Sequence, residues 1–204
     1  MAELRRVVLA SGNPGKVREL AALLEGLVAE VRPQSFYYVP EADETGTTFV
    51  ENAIIKARNA AAHTRLAAIA DDSGLEIPAL GGDPGVRSAR WAGNAADDAA
   101  NNARLRDELL DLTADQRLAR YRCVLVFMRH ADDPAPVIAE GSWEGRLVET
   151  PAGDGGFGYD PHFFVPALHC TAAQLEASTK NRLSHRGQAL AQLRKRLEAL
   201  CPGA

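Results

Sequence analysis

Arg6-Val-Val-Leu-Ala10 followed by Ser11-Gly-Asn-Pro-Gly15 reads as a buried strand running straight into a dense cluster of turn residues. Beyond Lys16, Val17, Leu20, Leu24 and Leu27 step by three, four and three, which gathers them on one helical face. A strand, a glycine-containing loop and a helix in that order predict the opening of an α/β fold.

Working outward, a second helix is expected from about Thr48 to His63. Val50, Ala53, Ile54, Ala57 and Ala61 form its apolar face, and Asn52, Lys56, Asn59 and His63 its polar one. Leu66-Ala-Ala-Ile-Ala70 reads as a short buried strand ending in Asp71-Asp-Ser-Gly74, and Leu80 to Gly93 as a loop with a turn at Asp83-Pro-Gly85. A polar, alanine-rich helix should follow from Asp97 to Leu110. Tyr121–Met128 and Pro136–Val148 read as strands around an Asp132-Asp-Pro134 turn, and Asp160–Val165 as a further short strand. Leu190, Leu193, Leu197 and Leu200 mark a closing helix. The expectation is one α/β domain over residues 1–204, a mixed sheet covered by helices.

With 204 residues, 46% hydrophobic and 25% charged, the chain has the make-up of an ordinary globular protein. No apolar run approaches the ~20 residues that span a bilayer, and the start, Met1-Ala-Glu-Leu-Arg-Arg6, lacks a secretory cleavage pattern, so a cytoplasmic location without membrane association is expected. Cys123, Cys170 and Cys201 are widely spaced, which supports neither a disulfide framework nor a zinc site. A net charge of −4 argues against holding long nucleic acid, though not against a small anion in a locally basic pocket. Among the 23 basic residues only Lys16, Lys56, Lys180 and Lys195 are lysines, and three of these fall in the motifs that follow.

Four blocks carry chemistry. Ser11-Gly-Asn-Pro-Gly-Lys16 sets glycines, a helix N-terminus and an ammonium in one place, as an anion cradle does, although a plain strand-to-helix turn has the same residues. It lacks the Walker spacing. Glu44, ahead of the second helix, and Asp72, at the end of a core strand, suit Mg²⁺, which takes one or two carboxylates plus water and phosphate oxygens; a solvated loop residue and a turn cap are the plainer readings. Gly155-Gly-Phe-Gly-Tyr-Asp-Pro161 frames an aromatic with glycines, as stacking on a flat base requires, or as a glycine-rich turn packs one. Lys180 and Ser184-His-Arg186 gather donors near a helix start, where a solvated cap is the simpler local reading.

In this order, and together with Glu44-Thr-Gly-Thr-Thr-Phe-Val-Glu-Asn-Ala53, Lys56-Ala57, Ala70-Asp-Asp-Ser-Gly-Leu75, Gly81-Gly-Asp-Pro-Gly85 and Ser88-Ala-Arg90, these blocks closely resemble the Ham1/RdgB-type purine triphosphate pyrophosphatases, often called inosine triphosphatases. The resemblance runs from Val7 to about Leu197. It implies an elongated mixed sheet with two lobes around a cleft, usually in a homodimer. The implied reaction is Mg²⁺-dependent cleavage of inosine, deoxyinosine and xanthosine triphosphates between the α- and β-phosphates. Asp72 would be the catalytic acidic residue and, with Glu44, a metal ligand. Ser11, Gly12, Asn13, Pro14, Gly15, Lys16 and Lys56 would serve the phosphates, and Ser73 would touch the substrate. Phe157, Gly158, Tyr159, Asp160, Lys180, His185 and Arg186 would surround base and sugar. The nearest rivals are a Maf-like pyrophosphatase acting on modified or pyrimidine triphosphates and a nucleotide-binding module without catalysis.

Overall fold

The computed structural model describes residues 6–24, 28–93 and 97–200. Its seven strands form one sheet in the order β2-β1-β3-β4-β5-β6-β7. They are β1 (Arg6–Leu9), β2 (Glu30–Pro33), β3 (Ala67–Glu76), β4 (Leu118–Met128), β5 (Val137–Leu147), β6 (Phe163–Val165) and β7 (Cys170–Thr171). The helices are α1 (Pro14–Leu24), α2 (Phe49–Thr64), α3 (Asp98–Leu110), α4 (Ala177–Leu183) and α5 (His185–Leu200). β1 pairs in parallel with β2 and β3, whereas β6 is antiparallel to β5 and β7, so the sheet is mixed.

The chain forms two compact units. One runs from the start through Asp72 and adds Cys123–Gly141 and the stretch from Arg186 onward; the other comprises Ser73–Arg122 and Ser142–His185. The first is built on β1, which lies between β2, reached through α1, and β3, reached through α2. Right-handed crossovers running in opposite directions along the sheet, from β1 to β2 and from β2 to β3, put α1 and α2 on its opposite faces. Leu20 and Leu24 of α1 and Ala189, Leu190, Leu193 and Leu197 of α5 bury against Val7, Leu9, Ala67 and Ile69. The leucine stripes read from the sequence are thus core seams; Leu27 and the Leu200 side chain lie outside the described residues.

In the second unit Leu105 and Leu109 of α3 pack with Leu75, Ile77, Tyr121, Trp143, Tyr159 and Phe163. The Leu80–Gly93 stretch is irregular as expected, with a short helical turn at Gly85–Arg90, and its Trp91 packs in this core. The Ser88 hydroxyl accepts the Leu75 N–H at 2.8 Å and donates to the Gly85 carbonyl at 2.6 Å, while Asn101 holds Ala89 and Ala92.

Two sequence expectations need correction. The strand begun at Ala67 does not end at the Asp71-Asp-Ser-Gly74 run but continues to Glu76, because each carboxylate finds cationic or amide partners that let it stay in the sheet. Asp160 to His162 form a turn, and only Phe163–Val165 is strand, because the Asp160 carboxylate accepts the Phe157 N–H at 2.9 Å and bends the chain.

Candidate active site

The loop Ser11–Asn13 leaves the sheet at the carboxyl end of β1, after the Ala10 N–H has donated to the Ile69 carbonyl at 2.8 Å. Because β1's two neighbours are reached in opposite directions, this is a topological switch point, where open α/β sheets place ligands. Asn13 caps α1, with Pro14 at the first helical position; its side-chain oxygen accepts the N–H groups of Gly15 (2.8 Å) and Lys16 (3.1 Å). These two donors at the helix start are therefore already engaged. The Asn13 N–H in turn donates to the Ser11 hydroxyl at 3.2 Å. Gly12 lies directly beneath the Glu41 carboxylate, where a Cβ would collide with it.

Asp71 and Asp72 are consecutive on β3, so their side chains take opposite faces of the sheet. Asp71 continues the face of Ala67 and Ile69. Its carboxylate meets the Lys16 ammonium at 3.1 Å and the Arg186 guanidinium at 3.6 Å. Asp72 meets α2 instead, accepting from Lys56 Nζ at 2.8 Å and from the Asn52 amide at 3.5 Å. Lys56 also reaches Glu44 at 3.4 Å, and Asn52, fully buried, accepts the Gly46 N–H at 2.8 Å, which fixes the acidic loop to the helix. That helix starts at a Thr48/Glu51 capping box. Glu44 and Lys56 thus meet at Asp72, and Lys16 meets its neighbour Asp71. Arg186 joins Asp71 by burial and ion pairing, a partnership between distant segments that no local pattern announces.

The two carboxyls are tuned in opposite directions. Burial would raise Asp71, but Lys16, Arg186 and Lys56 outweigh it and hold the group well below the usual carboxylate range. For Asp72 burial wins over Lys56 and Lys16, Glu44 adds to the rise, and the carboxyl is pushed up. Lys56 loses charge stability to burial but gains more from Asp72, Asp71 and Glu44, so its ammonium is reinforced.

A second group forms in the other unit. The Asp160 carboxylate accepts from Lys180 Nζ at 2.7 Å, from the Phe157 N–H at 2.9 Å and from the Tyr121 hydroxyl at 3.3 Å. Lys180 Nζ also lies 4.9 Å from the centre of the Phe157 ring. Gly156 has a φ of 74° and sits against Asp160 and Lys180, so no side chain fits there. Asp98 accepts the Gly158 N–H at 2.8 Å and Asn102 donates to the Gly158 carbonyl at 3.0 Å. The Tyr159 ring, by contrast, is core: its hydroxyl donates to the Ser88 carbonyl at 2.8 Å and its ring packs edge-on to Trp91. His185 stacks on Tyr121, whereas its neighbour Arg186 faces Asp71. Lys180, Ser184, His185 and Arg186 are all buried, which excludes the solvated cap. Ser73 follows Asp72 on β3 and is half-buried.

Strand, loop, acidic pair and glycine-framed aromatic occur in the order that distinguishes one group of known proteins, and the sequence matches the Ham1 family over residues 7–196. The chain belongs to the Ham1 family. A protein of Thioalkalivibrio sulfidiphilus named dITP/XTP pyrophosphatase is 59% identical over 193 residues, covering 95% of this chain and 98% of its own length. The structure of a HAM1 protein from Coxiella burnetii superimposes with a TM-score of 0.87 at 48% identity, covering 95% of this chain and 98% of that one. The Staphylococcus aureus Ham1 protein gives 0.84 at 37% identity, covering 96% and 99%. The mixed sheet flanked by helices is thus a Ham1 architecture, and the Maf-like alternative falls away.

Proposed function

We propose that this Ham1 protein hydrolyses inosine, deoxyinosine and xanthosine triphosphates to the nucleoside monophosphate and pyrophosphate, with Mg²⁺, as a cytoplasmic homodimer. The observation that carries the reading is the Lys16–Asp71 and Glu44–Lys56–Asp72 cluster at the carboxyl end of β1. The names of its relatives agree with it. Among the described residues no helix is long and apolar enough to cross a membrane.

Glu44 and Asp72 already share one positive charge, the Lys56 ammonium, so their oxygens are disposed around a cation. Among the described residues no three His, Cys, Asp or Glu side chains converge as a metal cage. Two carboxylates, with water and phosphate oxygens, make the donor set that suits Mg²⁺. When bound, the ion would supply charge neutralisation on phosphate oxygens. Lys16 and Lys56 would hold further phosphate charge as pyrophosphate departs. Asp72, its carboxyl raised by burial, is suited to orient the attacking water and accept its proton. Asp160, Lys180 and Phe157 would serve the base, and His185 would donate to the purine 6-oxygen, a pairing that the adenine amino group cannot accept.

Asp72→Asn is expected to lower turnover of inosine triphosphate by about two orders of magnitude or more, and near-normal turnover would refute the assignment. A panel of nucleoside triphosphates, with products resolved as monophosphate plus pyrophosphate or diphosphate plus phosphate, tests the reaction itself. Binding without cleavage would point to the sensing module instead. Sedimentation velocity tests the dimer.

A further inference from the structure

We propose that Tyr121 is a positioning residue for base recognition: one side chain on β4 sets both the imidazole of His185 and the carboxylate of Asp160. This rests on the reading above that His185 and Asp160 meet the purine. The two come from separate segments, the 155–161 turn and the first turn of α5, and Tyr121, which lies in neither, touches both. Its ring lies 4.7 Å from the imidazole with the planes 13° apart. Its hydroxyl donates to Asp160 Oδ1 at 3.3 Å.

The remaining Asp160 oxygen is taken by Lys180 and the Phe157 N–H, so the tyrosine hydroxyl holds the other end of the carboxylate and stops it rotating. Tyr121 is itself a firm reference. It is buried, it packs on Phe163 at 4.5 Å between centroids, and Trp143 backs Phe163 at 5.3 Å. A tyrosine has only two side-chain torsions, and these neighbours restrict both. Telling an oxygen from an amino group at one ring position needs a donor and an acceptor at fixed separation, and small misplacements cost much of the discrimination. A tyrosine that merely filled the core would stabilise the fold and leave selectivity untouched.

The test compares the full-length wild type, Y121F and Y121L. The readouts are steady-state kinetics on inosine triphosphate and ATP, calorimetric titration with inosine triphosphate in EDTA, and thermal unfolding. Y121F keeps the stack and loses the hydroxyl; its KM for inosine triphosphate should rise about tenfold with kcat little changed. Y121L loses both, and its preference for inosine triphosphate over ATP should fall about tenfold or more. If both variants keep KM and preference within about twofold, whatever their Tm, the proposal is overturned. Should Y121L not fold, the near-isosteric Y121F decides alone. A wild type that neither binds nor cleaves inosine triphosphate overturns the functional reading and this proposal together. An active wild type with unaltered variants overturns only the role of Tyr121.

Discussion

Asp71 and Asp72 are adjacent and chemically alike, yet their partners assign them different work. Asp71, with Lys16 and Arg186 against it, is held ionised and acts as the counter-charge that keeps two cations in place. Asp71→Asn leaves those cations without it and should lower stability by about 3–5 kcal/mol, as removing one member of a buried ion pair does. Because the folded carboxyl lies below its unfolded value, the contribution is present at neutral pH and shrinks as pH falls below about 4. Urea titrations of metal-free wild type and variant should therefore show a smaller gap at pH 3 than at pH 7, one that closes only as pH falls through the depressed folded value. A gap that stayed constant would remove the ion-pair explanation. At Gly156 an alanine would place a methyl against the Asp160 carboxylate and the Lys180 ammonium at a φ of 74°. A loss of about 1–3 kcal/mol is expected, readable as a lowered Tm, with a raised KM for inosine triphosphate beside it.

At the scale of elements, α1 begins where it does because Asn13 caps it and Pro14 cannot continue the strand. Asn13→Ala should cost about 0.5–2 kcal/mol, while Asn13→Asp keeps the capping oxygen and the stability. If Asn13→Asp also keeps the KM for inosine triphosphate, the side chain serves the helix and not the phosphates, since an added negative charge beside them would weaken binding. The β4–β5 turn has a comparable anchor. The Asp133 carboxylate accepts from the Arg129 N–H and Nε, both at 2.9 Å, and from the Ala135 N–H at 3.1 Å. The hydrogen bonds from Arg129 outweigh burial and hold its carboxyl well below the usual range. Asp133→Ala should destabilise by about 1–3 kcal/mol, measured by thermal unfolding at neutral pH, with no change in turnover. Among the elements absent from the sequence reading, β2 is short, charged and at the sheet edge. Glu30 pairs with Arg6 at 2.7 Å and with Arg32 at 3.1 Å, which blunts the edge and erases the apolar alternation that announces a strand.

For the whole molecule, the boundaries between the two units fall inside β3, β4 and β5, so each of these strands contributes residues to both cores. Leu193 and Leu109, each fully buried, belong to different cores. Leu→Ala at either should cost about 2–5 kcal/mol, and continuous strands predict that both lower the Tm of one shared transition. Calorimetry showing one transition shifted and a second left in place would separate the units.

The sequence by itself determined the types of most elements, the α/β class and the ordered motifs that mark the Ham1 family. Each of these follows from periodicity, turn chemistry or motif order along the chain. Only the tertiary structure decided that the Asp-Asp run stays in its strand, that Asp71 pairs with Arg186, and that the Tyr159 ring is core. It also set His185 on Tyr121 while turning Arg186 toward Asp71. The physical reason is the same in each case: burial and ion pairing join residues far apart in the chain, and the free energy of a buried charge depends on those distant partners rather than on its neighbours in sequence.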